Sequence, residues 1–99
     1  MDSDYKIFWT DEAINNLESI LDYLKKSWTQ REIDNFKKKL GRQLDLIEKN
    51  PKLFSLSEYN PRLRKAVMSK QTTIFYELSG TAIYLVYLFN NKQDIDRIK

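Results

Sequence analysis

Hydrophobic positions change period twice along the chain. Tyr5 to Trp9 (YKIFW) alternates, with Tyr5, Ile7 and Trp9 on one face and Lys6 and Phe8 on the other, which predicts a short strand. Ile14, Leu17, Ile20, Leu21, Leu24 and Trp28 then recur at helical spacing and form one stripe. A second stripe follows in Ile33, Phe36, Leu40, Leu44 and Ile47. Beyond residue 60 the period returns to two. Leu63 to Met68, Thr72 to Leu78 and Ala82 to Phe89 read as strands rich in β-branched and aromatic residues.

Local signals punctuate this pattern. Thr10 suits an N-cap, with Asp11 and Glu12 in the first helical turn where the helix dipole favours carboxylates. Thr29-Gln30-Arg31-Glu32 matches the capping box and starts a second helix directly after the first, so the two fold back as an antiparallel hairpin. Asn50-Pro51 ends that helix. Leu53 to Asn60 reads as loop, and Ser79-Gly80-Thr81 as a three-residue turn joining the last two strands. Gly41, inside the second helix, admits two readings: tolerated drift, at roughly 1 kcal/mol against Ala, or a close approach of the first helix.

The order is β-α-α-β-β-β in one domain spanning residues 1–99. It predicts an α+β fold: an antiparallel sheet with an N-terminal helical hairpin packed on one face. In the strand Thr72 to Leu78, Ile74, Tyr76 and Leu78 face the helices, while Thr73, Phe75 and Glu77 face the other way. In the preceding strand Leu63 and Val67 look like core, which turns Arg62 and Arg64 toward the open face.

Composition narrows the chemistry. The chain has no cysteine and no histidine, so disulfides, thiolate catalysis and the usual zinc or copper ligands are excluded. It carries no Ser/His/Asp set, no glycine-rich phosphate loop and no metal-ligand spacing, and no metal or cofactor is expected. No apolar run reaches membrane-spanning length and no signal-peptide pattern opens the chain, so a cytoplasmic protein without membrane association is expected.

The net charge of +3 hides an asymmetry. Residues 1–34 carry 4 basic and 8 acidic side chains, and residues 35–99 carry 13 basic and 6 acidic ones. Arg62, Arg64, Lys70, Lys92 and Arg97 are the candidates to line a cationic groove on the open face; the alternative is that they merely solvate it. Lys37, Lys38, Lys39 and Arg42 lie off the apolar stripe of the second helix and read as a solvated face. Glu77 is the only carboxylate in the last two strands, and a lone strand Glu is more often a surface residue than a base. Without histidine, metal-independent RNA cleavage would fall to Lys, Tyr or Glu, with Arg stabilising the charged phosphorane.

WTDEAINNLESILDYL, RLRKAVMSKQTTIFYEL and LVYLFNNKQD resemble the RelE/ParE superfamily of type II toxin–antitoxin toxins, often labelled plasmid stabilisation proteins. The resemblance runs from about Phe8 to Ile98 and is most specific in SKQTTIFYEL and LFNNKQD. The final motif of the ParE-like branch usually reads N-R-Q-D-P; here Lys92 replaces the Arg and Ile95 the Pro. The resemblance implies the same β-α-α-β-β-β fold and a cognate antitoxin as partner, in a toxin–antitoxin hetero-oligomer.

The resemblance implies two targets. RelE-like members cut messenger RNA on the ribosome, and ParE-like members poison DNA gyrase without chemistry of their own. At the RelE-like catalytic positions this chain has Thr72 or Thr73 for the strand Arg, Asn91 or Lys92 for a later Arg, and Arg64 and Ala66 for a basic pair. Catalytic residues therefore stay unassigned. Gyrase inhibition is the favoured expectation, and the long helical hairpin fits it. Ribosome-dependent mRNA cleavage is the alternative, and a toxin-like protein that only binds its antitoxin is a third reading.

Overall fold

The computed structural model describes residues 4–69 and 71–90. Its order is β1 (Lys6–Trp9), α1 (Asp11–Ser27), α2 (Gln30–Lys49), β2 (Leu63–Val67), β3 (Thr72–Ser79) and β4 (Ala82–Asn90). Each helix starts where the sequence places it. The Ala13 amide donates to Thr10 Oγ1 at 3.2 Å. The capping box closes with Glu32 N–H to Thr29 Oγ1 and Thr29 N–H to Glu32 Oε1, both 3.3 Å. Only Trp28 and Thr29 separate α1 from α2, and Asn50 ends α2 with its amide on the Leu46 carbonyl.

The sheet runs β1-β4-β3-β2. The antiparallel expectation holds for β2, β3 and β4, and β1 joins β4 in parallel at the far edge. The last hairpin is tighter than the sequence suggests. Ser79 pairs with Ala82, leaving Gly80 and Thr81 as a two-residue turn. Gly80 has φ +61° and no other described residue has positive φ, the pattern of a type II′ turn with glycine first.

The helices cover one sheet face. Ile20, Leu24, Ile33, Phe36, Leu40 and Ile47 pack against Ala66, Ile74, Tyr76, Ile83, Leu85 and Leu88. At the head of α1 the buried residue is Ala13, while Ile14 is 41% exposed, which corrects the predicted stripe. The cause is the closeness of α1 to β4. The Thr10 amide and hydroxyl both bond the Leu85 carbonyl, at 3.2 and 2.6 Å, which draws the first turn against β4 and leaves Ala13 fully buried.

Gly41 has an open surrounding: a Cβ there would meet nothing within 4 Å. Of the two readings, close approach of α1 is therefore removed. No described helix is long and apolar enough to cross a membrane.

Candidate functional site

The register of β2 against β3 decides which side chains share a face. Arg64 stands opposite Tyr76, and Ala66 opposite Ile74. Tyr76, Ile74 and Ala66 are fully buried under the helices, so Arg64 emerges on the helix side and not on the open face. This reverses the face expected for Arg64. Val67, expected in the core, is 55% exposed. Leu63 is buried on the open side beside the preceding loop, whose Asn60 and Ser57 bond its backbone. Sequence periodicity failed here because a five-residue strand with Leu63 and Val67 at its ends looks apolar on the wrong side. The small Ala66 is the residue the core accepts.

Arg64 is committed to the backbone. Its Nη1 donates to the Phe54 carbonyl at 2.6 Å and, more weakly, to the Lys52 carbonyl at 3.5 Å. The Tyr76 hydroxyl donates to the Pro51 carbonyl at 2.6 Å, and the Phe54 ring meets the Tyr76 ring edge-on at 6.3 Å. Burial pushes the Tyr76 hydroxyl up to about 12, and the Arg64 charge pulls it the other way. The segment so held then covers the outer edge of β2: Lys65 N–H bonds Ser55 O, and Ser57 N–H bonds Leu63 O. An edge strand covered in this way offers no free ladder there for a further strand.

Of the other candidate cations, Arg62 is exposed just before β2, its amide on Asn60 Oδ1. Lys70, Lys92 and Arg97 lie outside the described residues. The described structure therefore brings no two of the five together on the open face.

What that face carries instead is aromatic. Phe8, Tyr84, Glu77 and Leu63 form one row across the four strands. Tyr87, Phe75 and Lys65 form the next, and Phe89, Thr73 and Val67 the third. Phe8 stacks on Tyr84 at 5.6 Å, and Phe75 meets Tyr87 edge-on at 6.4 Å. Tyr84 and Tyr87 point the same way although they are three residues apart, which regular alternation would put on opposite faces, because Val86 bulges. Tyr76 pairs with Leu85 and Phe75 with Tyr87, so Val86 has no partner. Bonds from the start of α1 flank the bulge: its N-cap Thr10 donates to Leu85 O, and Asn16 Oδ1 accepts from Leu88 N–H at 3.1 Å. The alternating runs could have signalled this aromatic face; the bulge that completes it is invisible in the sequence.

The chemical repertoire of this face is small. Glu77, Lys6, Lys65 and the tyrosine hydroxyls are its ionisable groups, and no described arginine joins them. Thr72 and Thr73, at the positions where the RelE-like pattern has an Arg, are both buried. Among the described residues no cluster of three or more Asp or Glu could hold a metal ion. A separate groove of about 500 Å³ lies between the start of α2 and the end of β2, with Trp28, Phe36, Met68, Glu32 and Lys39 among its lining residues.

Comparisons with known proteins agree with this architecture. A family model described as "ParE toxin of type II toxin-antitoxin system, parDE" matches residues 7–95. The structure is similar to one from the chromosomal ParDE system of P. aeruginosa, with TM-score 0.73 and 15% identity over 87% of this chain and 95% of that one. It is also similar to a chain of the E. coli DinJ–YafQ toxin–antitoxin complex, with TM-score 0.63 and 11% identity over 91% of this chain and 96% of that one. Among curated proteins, none matches the chain in sequence.

Proposed function

The chain belongs to the ParE toxin family of type II toxin–antitoxin systems, and from this premise we propose that it inhibits DNA gyrase by binding and is neutralised by a cognate antitoxin. The observation that carries the reading is the match of the family over residues 7–95. The make-up of the open face supports it. In-line cleavage of RNA without a metal needs a matched acid and base beside a preorganised cation, and losing one such group typically slows a reaction by about a hundredfold to a thousandfold. Here the strand Arg is replaced by buried threonines, and Arg64 is spent on the carbonyls of Lys52 and Phe54.

The antitoxin reading is supported by the ParDE and DinJ–YafQ systems that share the fold. The basic half of the chain suits an acidic antitoxin segment that orders on binding. Arg62, Lys92 and Arg97, with Lys70, are the cations we assign to partner contact, and the protein acts in the cytoplasm.

The test is functional. Inducing the chain alone arrests growth, and co-expressing the product of the adjacent gene restores it. The purified protein inhibits gyrase supercoiling, and the inhibition weakens with added salt and with Arg62→Ala. Codon-linked cleavage of messenger RNA on programmed ribosomes, with gyrase unaffected, overturns this reading in favour of a nuclease.

A further inference from the structure

The open face of the sheet, covered by neither described helix, is rich in aromatic side chains where such a face is usually polar. A single-layer antiparallel sheet normally alternates apolar toward its core and polar toward water. Here the outward positions include Phe8, Tyr84, Tyr87, Phe75, Phe89 and Val67, spread over all four strands with Glu77, Thr73 and Lys65 between them. Phe8 and Tyr87 are each 47% exposed, and Val67 more so. At roughly 200 Å² per aromatic side chain, the patch offers on the order of 400–500 Å² to a partner. That is about the size of the largest apolar patch on a typical monomer, which is often a functional one.

We propose that a second copy of this chain covers the face, sheet against sheet, in a weak two-fold dimer. Two observations favour a second copy over other occupants. The first is area. Two such faces together bury on the order of 1,000 Å², the lower bound of a specific interface. Two identically twisted sheets also stack in the aligned geometry of β-sandwiches, about 10 Å apart, with interdigitating side chains. The second is charge. The face carries Lys6 and Lys65 at its two sides and Glu77 on the central strand β3. Both signs are present and the excess is a single positive charge, so the face repels its own copy only weakly. A single-stranded nucleic acid would stack on the rings but needs a cationic track along its phosphates. A carboxylate in the first row, beside Tyr84, opposes that.

The proposal goes beyond gyrase inhibition and is tested separately from it. Sedimentation equilibrium of the full chain, from about 1 to about 200 μM, reads the association directly. We expect the mean mass to rise from monomer toward dimer across that range. Raising the salt should leave it unchanged or strengthen it, because the contact is apolar. Tyr84→Lys and Tyr87→Lys place like charges across the two-fold and abolish the rise, with unchanged circular dichroism. Val67→Lys, at the most exposed apolar position of the face, does the same and covers the event that a tyrosine variant fails to fold. Lys38→Glu, on the outer side of α2, leaves association intact.

A monomer throughout the range overturns the proposal and leaves the face to a different protein. A dimer that survives all three lysine variants but is lost in Lys38→Glu overturns it in favour of the helices. Association that disappears on nuclease treatment overturns it in favour of nucleic acid.

Discussion

Arg64 and Tyr76 stand directly opposite each other on β2 and β3, and both reach back to the chain that leaves α2. The guanidinium holds the Phe54 carbonyl and the phenol holds the Pro51 carbonyl, each at 2.6 Å. One cross-strand pair thus anchors the segment that closes the edge of the sheet. A charge that the sequence pattern turns toward a partner is half-buried and bound to the chain's own backbone.

The Tyr76 hydroxyl makes stability depend on alkaline pH. Its ordinary value is 10.0, and burial raises it to about 12 in the folded chain. A group raised on folding contributes stability that is complete below its unfolded value and lost as pH climbs through its folded value. Thermal melts should therefore fall more steeply between about pH 10 and pH 12 in the native chain than in Tyr76→Phe. Below that window, Tyr76→Phe should be less stable by about 1–2 kcal/mol, because the buried Pro51 carbonyl loses its donor. Parallel pH profiles for the two proteins count against the assignment.

Arg64→Met keeps the aliphatic stem and removes the donors. It should destabilise by about 1–2 kcal/mol, and limited proteolysis should cut faster between Lys52 and Ser57. Arg64→Lys should recover only part of the loss, since an ammonium lacks the planar fork. The measurement is the cleavage rate alongside a urea titration. An unchanged rate in Arg64→Met means that the guanidinium does not anchor the segment.

The phase of α1 can be read from two adjacent residues. Ala13→Leu should cost about 1–3 kcal/mol, because the larger side chain meets β4 in a filled space. Ile14→Ser, at a position 41% exposed, should cost well under that. Urea midpoints separate the two. A larger loss from Ile14→Ser would restore the helical stripe read from sequence periodicity.

Gly41→Ala should stabilise the chain by about 0.5–1 kcal/mol. Space for the added methyl group is open on every side, and the helical φ suits alanine. A higher unfolding midpoint checks it; a lower one would mean that α1 approaches α2 there after all.

Much of this fold is written in short-range chemistry. Thr10, the Thr29–Glu32 capping box, Asn50-Pro51 and Gly80 act within a few residues of themselves. Their positions in the chain therefore determine where α1 and α2 begin, where α2 ends and where the last hairpin turns. The two helical stripes and the alternation of β3 likewise follow from local periodicity, which is why Ile33, Phe36, Leu40, Ile47, Ile74 and Tyr76 were legible as core. Tertiary structure decided what depends on partners far along the chain. The face of Arg64 was set by its register against Tyr76, since residues opposite each other in a ladder share a side. The burial of Ala13 in place of Ile14 was set by the bonds of Thr10 to Leu85, 75 residues away. The aromatic face was set by the bulge at Val86, because one unpaired residue reverses the side on which every later side chain emerges, and the bonds of Thr10 and Asn16 that flank it come from the other end of the chain.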